Sequence, residues 1–191
     1  MSLVITVEPA EEPVTTAEAK DHMRVDTSDD DTLIDGLITA SRLYAENYTN
    51  RAFVTQTLAL RLDAFPASQI NLPRAPAASV TSIQYIDGDG ATQTWSSANY
   101  TVDAYSKPAR VLPVYDEDFP STRAEIDAVT VTFVAGYGGA SAVPEGLKLA
   151  IKTLVGHWYE NREGSTYQHK VHLIPLAINA LLTQFRIPQF L

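Results

Sequence analysis

Hydrophobic positions along this chain follow two different periods, and the change between them organises it. The front and the back step helically while the middle alternates, which predicts a β insert in a helical frame. After Pro13, Thr15 and Glu18 form a Thr-x-x-Glu capping box, which predicts a short helix over residues 16–25. The run Asp26-Thr27-Ser28-Asp29-Asp30-Asp31 breaks that helix and starts the next, because carboxylates are favoured beside the open N–H groups of a helix start. Leu33, Ile34, Leu37, Ile38, Ser41, Tyr44, Ala45 and Tyr48 then return at steps of three and four. Asp35, Thr39, Arg42, Glu46 and Asn47 take the other face, giving an amphipathic helix of about five turns that ends near Asn50.

From Phe53 to Val134 the pattern changes to short strands. Leu58, Leu60 and Leu62 alternate with Thr57, Ala59 and Arg61, and Val129, Val131 and Phe133 alternate with Thr130 and Thr132. Residues 80–86 and 91–95 flank Asp87-Gly88-Asp89-Gly90, the composition of a tight hairpin turn. Pro66, Pro73, Pro76, Pro108, Pro113 and Pro120 cut the region into short pieces, so a small irregular sheet or barrel is expected, with residues 105–127 as a loop. Gly136-Tyr137-Gly138-Gly139 closes the region, and Pro144 suits the first turn of a helix. The apolar stripe of that helix is Leu147, Ala150, Ile151, Leu154, Val155, Trp158 and Tyr159, with Lys148, Lys152, Thr153 and Glu160 outside. After Pro175, a last helix carries Ile174, Ile178, Leu181, Leu182 and Phe185 at the same spacing. The expected class is α+β: mainly a helical bundle of N-terminal and C-terminal helices (residues 1–52 and 135–191), with an inserted small antiparallel β domain (residues 53–134).

Composition narrows the chemistry. A formal charge of −9 argues against a surface built to neutralise phosphate, and the absence of Cys excludes disulfides, thiolate metal sites and Cys nucleophiles. The N-terminus turns acidic too early for a signal peptide, and no apolar run approaches the roughly 20 residues needed to span a bilayer, so an intracellular protein with no membrane partner is expected.

The candidate catalytic groups are sparse. Asp26 with Asp29, Asp30 and Asp31 offers oxygen ligands but lacks the register of a calcium loop, so helix capping is the favoured role. His157 and Glu160 lie three apart near a helix end and could serve as base and acid, but no nucleophile or oxyanion site accompanies them. His169 and His172 form no zinc motif, Gly136-Tyr137-Gly138-Gly139 lacks the Lys of a phosphate loop, and no Gly-x-Ser-x-Gly elbow occurs. No catalytic residue, cofactor or metal is therefore assigned. The end of the chain, Phe185, Ile187, Phe190 and Leu191, concentrates apolar side chains that either fold back onto the bundle or dock onto a partner.

The order of several short motifs resembles the head-tail connector, or adaptor, proteins of tailed bacteriophages, in the longer form found in prophages and gene transfer agents. The resemblance rests on Pro13-Val14-Thr15-Thr16-Ala17-Glu18-Ala19-Lys20, Met23-Arg24-Val25-Asp26, Asp29-Asp30-Asp31 before Leu33-Ile34, and Ala45-Glu46-Asn47-Tyr48-Thr49-Asn50-Arg51. It continues with Leu72-Pro73-Arg74-Ala75-Pro76 before Val80, then Phe133-Val134-Ala135-Gly136-Tyr137-Gly138, Val143-Pro144 and His157-Trp158-Tyr159-Glu160-Asn161-Arg162-Glu163. The resemblance implies a non-enzymatic structural protein of the virion neck, made in the host cytoplasm. It implies a ring, commonly of twelve subunits, that docks beneath the portal protein, offers its far side to the next neck or tail protein, and lets DNA pass without specific binding. Acidic side chains facing the DNA would keep it from sticking. Arg42, Glu46, Tyr159 and Arg162 are candidate subunit-interface residues, and Phe185, Ile187, Phe190 and Leu191 a candidate portal-contact tail. The alternatives are a small metal-dependent hydrolase using His157 and Glu160, and a related neck stopper or tail-completion protein.

Overall fold

Eight β-strands and four α-helices form in the computed structural model, which describes residues 1–161 and 176–188. The described residues fall into two units, one built from residues 1–10 and 55–137 and the other from residues 11–54, 138–161 and 176–188.

The first unit contains all the strands. Strands β1 (Ser2–Val7), β2 (Gln56–Leu62), β8 (Val129–Ala135), β4 (Ala77–Ile86) and β5 (Thr92–Trp95) form one sheet in the order β1-β2-β8-β4-β5. Strands β3 (Ile70–Leu72), β7 (Ala109–Pro113) and β6 (Tyr100–Asp103) form a second, in the order β3-β7-β6. Every pairing is antiparallel. The centre of the larger sheet is β8, whose Val129, Val131, Phe133 and Ala135 are fully buried while the threonines between them are half-buried, the period-2 pattern of a strand. In register beside it, Phe133 faces Leu58 on one side and Val80 on the other. The hairpin between β4 and β5 turns on Asp87, whose carboxylate accepts from the N–H groups of Asp89 and Ala91, and on Gly90 at φ 87°, a conformation that suits glycine.

A second, aromatic core forms within the same unit. Phe65 stacks on Phe119 at 5.1 Å and meets Trp95 at 5.6 Å and Tyr85 at 5.8 Å, and Trp95 lies 5.0 Å from Tyr100. This anchors the segment before β8. Within that segment Tyr115 and Ile126 are almost wholly exposed, as is Tyr105 between β6 and β7.

The second unit holds the helices α1 (Thr16–Met23), α2 (Asp31–Thr49), α3 (Glu145–Glu160) and α4 (Leu176–Thr183). The capping box forms as the spacing predicts: Glu18 N–H donates to Thr15 Oγ1, and Thr15 N–H to Glu18 Oε2 at 2.7 Å. Arg24 and Asn50 close α1 and α2 in the left-handed conformation. Pro144 sits one residue before α3, and its carbonyl accepts from the N–H of Leu147. α3 packs against α1, α2 and α4, and Ile34, Ile38, Leu147, Ile151, Leu154, Ile178 and Leu182 form the core.

The expected class, mainly a helical bundle with a small β insert, is corrected: the chain is rich in sheet, with two antiparallel sheets against only four helices among the described residues. The added strands are those that sequence period conceals. β1 lies before the first predicted helix, β3 has three residues, and β7 ends on Pro113 within the predicted loop. Three polar positions are corrected as well. Arg42 and Glu46, placed on the outer face of α2, are 4% and 3% exposed, and Lys148, placed outside on α3, is 8% exposed.

Because Phe133 touches both neighbouring strands at the centre of the sheet, Phe133→Ala is expected to cost about 3–5 kcal/mol. A fall in the urea midpoint of the purified chain checks it.

Candidate interaction surfaces

Arg42 is removed from water and surrounded by carboxylates. Its Nε donates to Glu12 Oε2 at 2.7 Å, its Nη2 to Glu12 Oε1 at 3.3 Å, and its Nη1 to Glu46 Oε2 at 3.1 Å. The first two form the forked arrangement that matches a guanidinium to a carboxylate, and the third is the i,i+4 pair of a helix. Glu46 Oε1 then accepts from the buried N–H of Phe53 at 2.7 Å, and Glu12 Oε1 accepts from Thr39 at 2.9 Å. Burial alone lowers the Arg42 pKa, but the bonds and charges of Glu12 and Glu46 outweigh it, so the net shift is upward and the guanidinium stays charged.

A cavity of about 300 Å³ opens beside this network, lined by Glu11, Glu12, Thr15, Thr16, Asp35 and Thr39. Its carboxylates are committed within the unit. Glu11 accepts from the N–H of Ala140 at 2.7 Å, Asp35 accepts from Thr16, and Glu12 holds Arg42.

The other sequence candidates lie as follows. Tyr159 donates its hydroxyl to Asp30 Oδ2 at 2.6 Å, so Asp30, the residue before α2, uses its side chain there and makes no cap bond. Asp31 in the first turn pairs with Lys20 at 2.7 Å, which keeps a carboxylate beside the helix start as expected. The carbonyl of Phe185 accepts from Arg51 Nε at 2.6 Å, and Ile187 is buried with its N–H bonded to the carbonyl of Thr49 at 2.9 Å. Up to Ile187 the chain end therefore lies on its own helical unit. Arg162, Phe190 and Leu191 lie outside the described residues, as do His169 and His172.

His157 accepts from Asn161 through its main-chain carbonyl at 2.8 Å, and its ring Nδ1 lies 3.5 Å from the same amide. Among the described residues no three His, Asp or Glu side chains gather as metal ligands. No described helix is long and apolar enough to cross a membrane.

Sequence reasoning missed Glu12, which lies in an acidic stretch before the first helix and carries no periodic signal. The i,i+4 spacing of Arg42 and Glu46 was visible, but their burial was not. Also missed was a line of exposed positions down α2, Leu33, Gly36, Ala40, Leu43 and Asn47, which bears no charge. At its far end Tyr44 stacks with Tyr48 at 6.2 Å and meets Trp158 edge-on at 6.3 Å, and the Arg186 guanidinium lies 5.4 Å from the centre of the Tyr48 ring.

In the β unit, Asp103 gathers its own loop. It accepts from Ser106 Oγ at 2.6 Å, from Arg110 Nε at 2.9 Å and from the N–H groups of Tyr105 and Ser106. The hydrogen bond from the Ser106 hydroxyl first and that from the Arg110 side chain second hold its carboxyl down at about 2, against an ordinary 3.8.

The model of the head completion protein family matches residues 13–187. No curated protein matches the chain. Among solved structures, a chain from the neck of an empty gene transfer agent particle with C6 symmetry is similar at TM-score 0.81 and 24% identity, over 100% of this chain and 98% of that one. Chains from the virion of a native gene transfer agent particle and from the neck of a native particle with C12 symmetry give TM-score 0.81 at 23% identity, with the same coverage. At these identities the likeness is one of fold.

Two outcomes are expected. Arg42→Ala leaves two carboxylates without their cation and is expected to cost about 3–5 kcal/mol, whereas Arg42→Lys, which cannot fork, recovers only part of that; urea midpoints of both variants check this. Because the Asp103 pKa is depressed on folding, its contribution is complete above pH 3.8 and is lost as pH falls through about 2. Asp103→Asn is therefore expected to flatten that part of the melting-temperature profile, read from thermal scans at acid pH.

Proposed function

The chain belongs to the head completion protein family, structural proteins that connect the head to the tail, and from that premise we propose that it works as one subunit of a ring in the virion neck. The ring has twelve copies when assembled, meets the portal protein on one side and the next neck or tail protein on the other, and leaves a passage for DNA. The reading is carried by one observation: the fold matches 98% of a chain from the neck of a native gene transfer agent particle, a neck computed with C12 symmetry.

Three further features support it. A net charge of −9 suits a wall past which phosphate must move without being held. The strongly bonded polar groups of the helical unit, Arg42 with Glu12 and Glu46 and Tyr159 with Asp30, are spent on its own structure. The protein therefore acts by covering surface, without catalysis. Its subunit contacts are the exposed uncharged line of α2 together with Tyr159 and Arg162, and its portal contact is the tail of Phe185, Ile187, Phe190 and Leu191.

The purified chain, mixed with the portal protein of its own particle and imaged by cryo-electron microscopy, is expected to add a twelvefold ring to the portal. Particles made without the chain are expected to have filled heads and no tails. Tailed particles in its absence would overturn the reading.

A further inference from the structure

Both edges of the larger sheet are left open, and we propose that they pair with each other between copies: strand β1 of one subunit adds to strand β5 of the next, so that the sheet continues around the ring. This rests on the ring reading and names one of its contact surfaces.

An edge strand presents a row of main-chain N–H and C=O groups to any strand that fits. Proteins that must remain single guard such edges with Lys, Pro, inward-pointing charge or a bulge. The β1 sequence, Ser2-Leu3-Val4-Ile5-Thr6-Val7, has no charge and no Pro, and its one irregularity falls at its far end, between Ile5 and Val7. Val4 and Val7 are 44% and 59% exposed, and Leu3 and Ile5 are half-buried, so both faces of β1 offer apolar side chains to an added strand. At the other edge β5, Thr92-Gln93-Thr94-Trp95, is also uncharged, and its first three residues are exposed. Among the described residues no further strand pairs with either edge.

Strand direction selects the occupant. Four antiparallel steps separate β1 from β5, so the two edges run the same way. Copies related by rotation about an axis along the strands keep that direction, and β5 of one then meets β1 of the next as a parallel pair. Two different patches meeting head to tail is the contact a closed ring requires. A β1–β1 contact would be antiparallel and twofold, and would stop at two copies. An unrelated extended segment would account for one edge and leave the other bare; a second copy accounts for both. With only four residues in β5, the parallel ladder is short and weak by itself, so it forms where subunits are already held side by side.

The absence of native Cys makes the test direct. Val4→Cys and Thr94→Cys, together and singly, are assembled on the portal, treated with a short bis-maleimide and run on a denaturing gel, while the same samples are imaged. The double variant is expected to give a ladder of consecutive multiples, and each single variant only monomer. Dimers from Val4→Cys alone would overturn the proposal in favour of a twofold contact. A twelvefold ring in the images, with no ladder from this pair or from Ser2→Cys with Thr92→Cys, would overturn the edge pairing and leave the ring standing. No ring with the unmodified chain would overturn the ring reading and this inference with it. As a second variant, Val4→Lys puts a guarding charge on the edge and is expected to fold normally by circular dichroism while lowering ring yield at least ~10-fold, about 1.4 kcal/mol; an unchanged yield would overturn the proposal.

Discussion

A guanidinium taken out of water must be surrounded by acceptors or it unfolds what encloses it, and the helical unit is arranged around that demand at Arg42. Glu12 comes from the segment before α1, Glu46 from the next turn of α2, and the N–H of Phe53 from the segment that leaves α2. Through Glu12 and Glu46, Arg42 thus links the second half of the longest helix to the segment that precedes α1 and to the chain that leaves α2. Glu11 and Asp35, close to this frame, are acceptors too, from the Ala140 N–H and from the Thr16 hydroxyl.

The β unit depends on a different constraint. Its central strand, β8, is paired on both sides and carries four fully buried residues, so its stability is concentrated in the middle of the sheet. The outer strands contribute less and are exposed. Between these limits the aromatic group around Phe65 and Trp95 does what the short strands cannot, holding a long irregular stretch in place by ring contacts through Phe119. Tyr115 and Ile126 therefore stand out from an anchored base.

What could be read from the sequence was what has a period or a named local geometry. The capping box at Thr15 and Glu18, the helix ending at Asn50, the strands around Leu58 and Phe133 and the turn at Asp87 all appear where the spacing puts them. The sheet content was underestimated because three residues at β3 and a proline-ended β7 are too short to alternate visibly, and because β1 pairs with a strand about fifty residues away. Arg42 and Glu46 were read as a solvent face because charge usually means exposure; only the third partner, Glu12, makes their burial tolerable, and nothing local in the sequence announces it. Ile187 was legible as apolar, but the bond from its N–H to Thr49, which decides which way the end folds, was not.

The charge of the whole chain and the character of its open surfaces pull in opposite directions. At −9, free copies repel one another at distances set by the ionic atmosphere, so encounter alone does not bring them together. The uncharged line on α2 and the bare edges of β1 and β5 act only at contact range. Association then requires something that holds copies close enough for short-range contacts to outweigh the repulsion, as a template of matching symmetry does by raising their effective concentration. In the proposed ring, weak, uncharged contacts on a strongly charged body make closure depend on the template that gathers the copies.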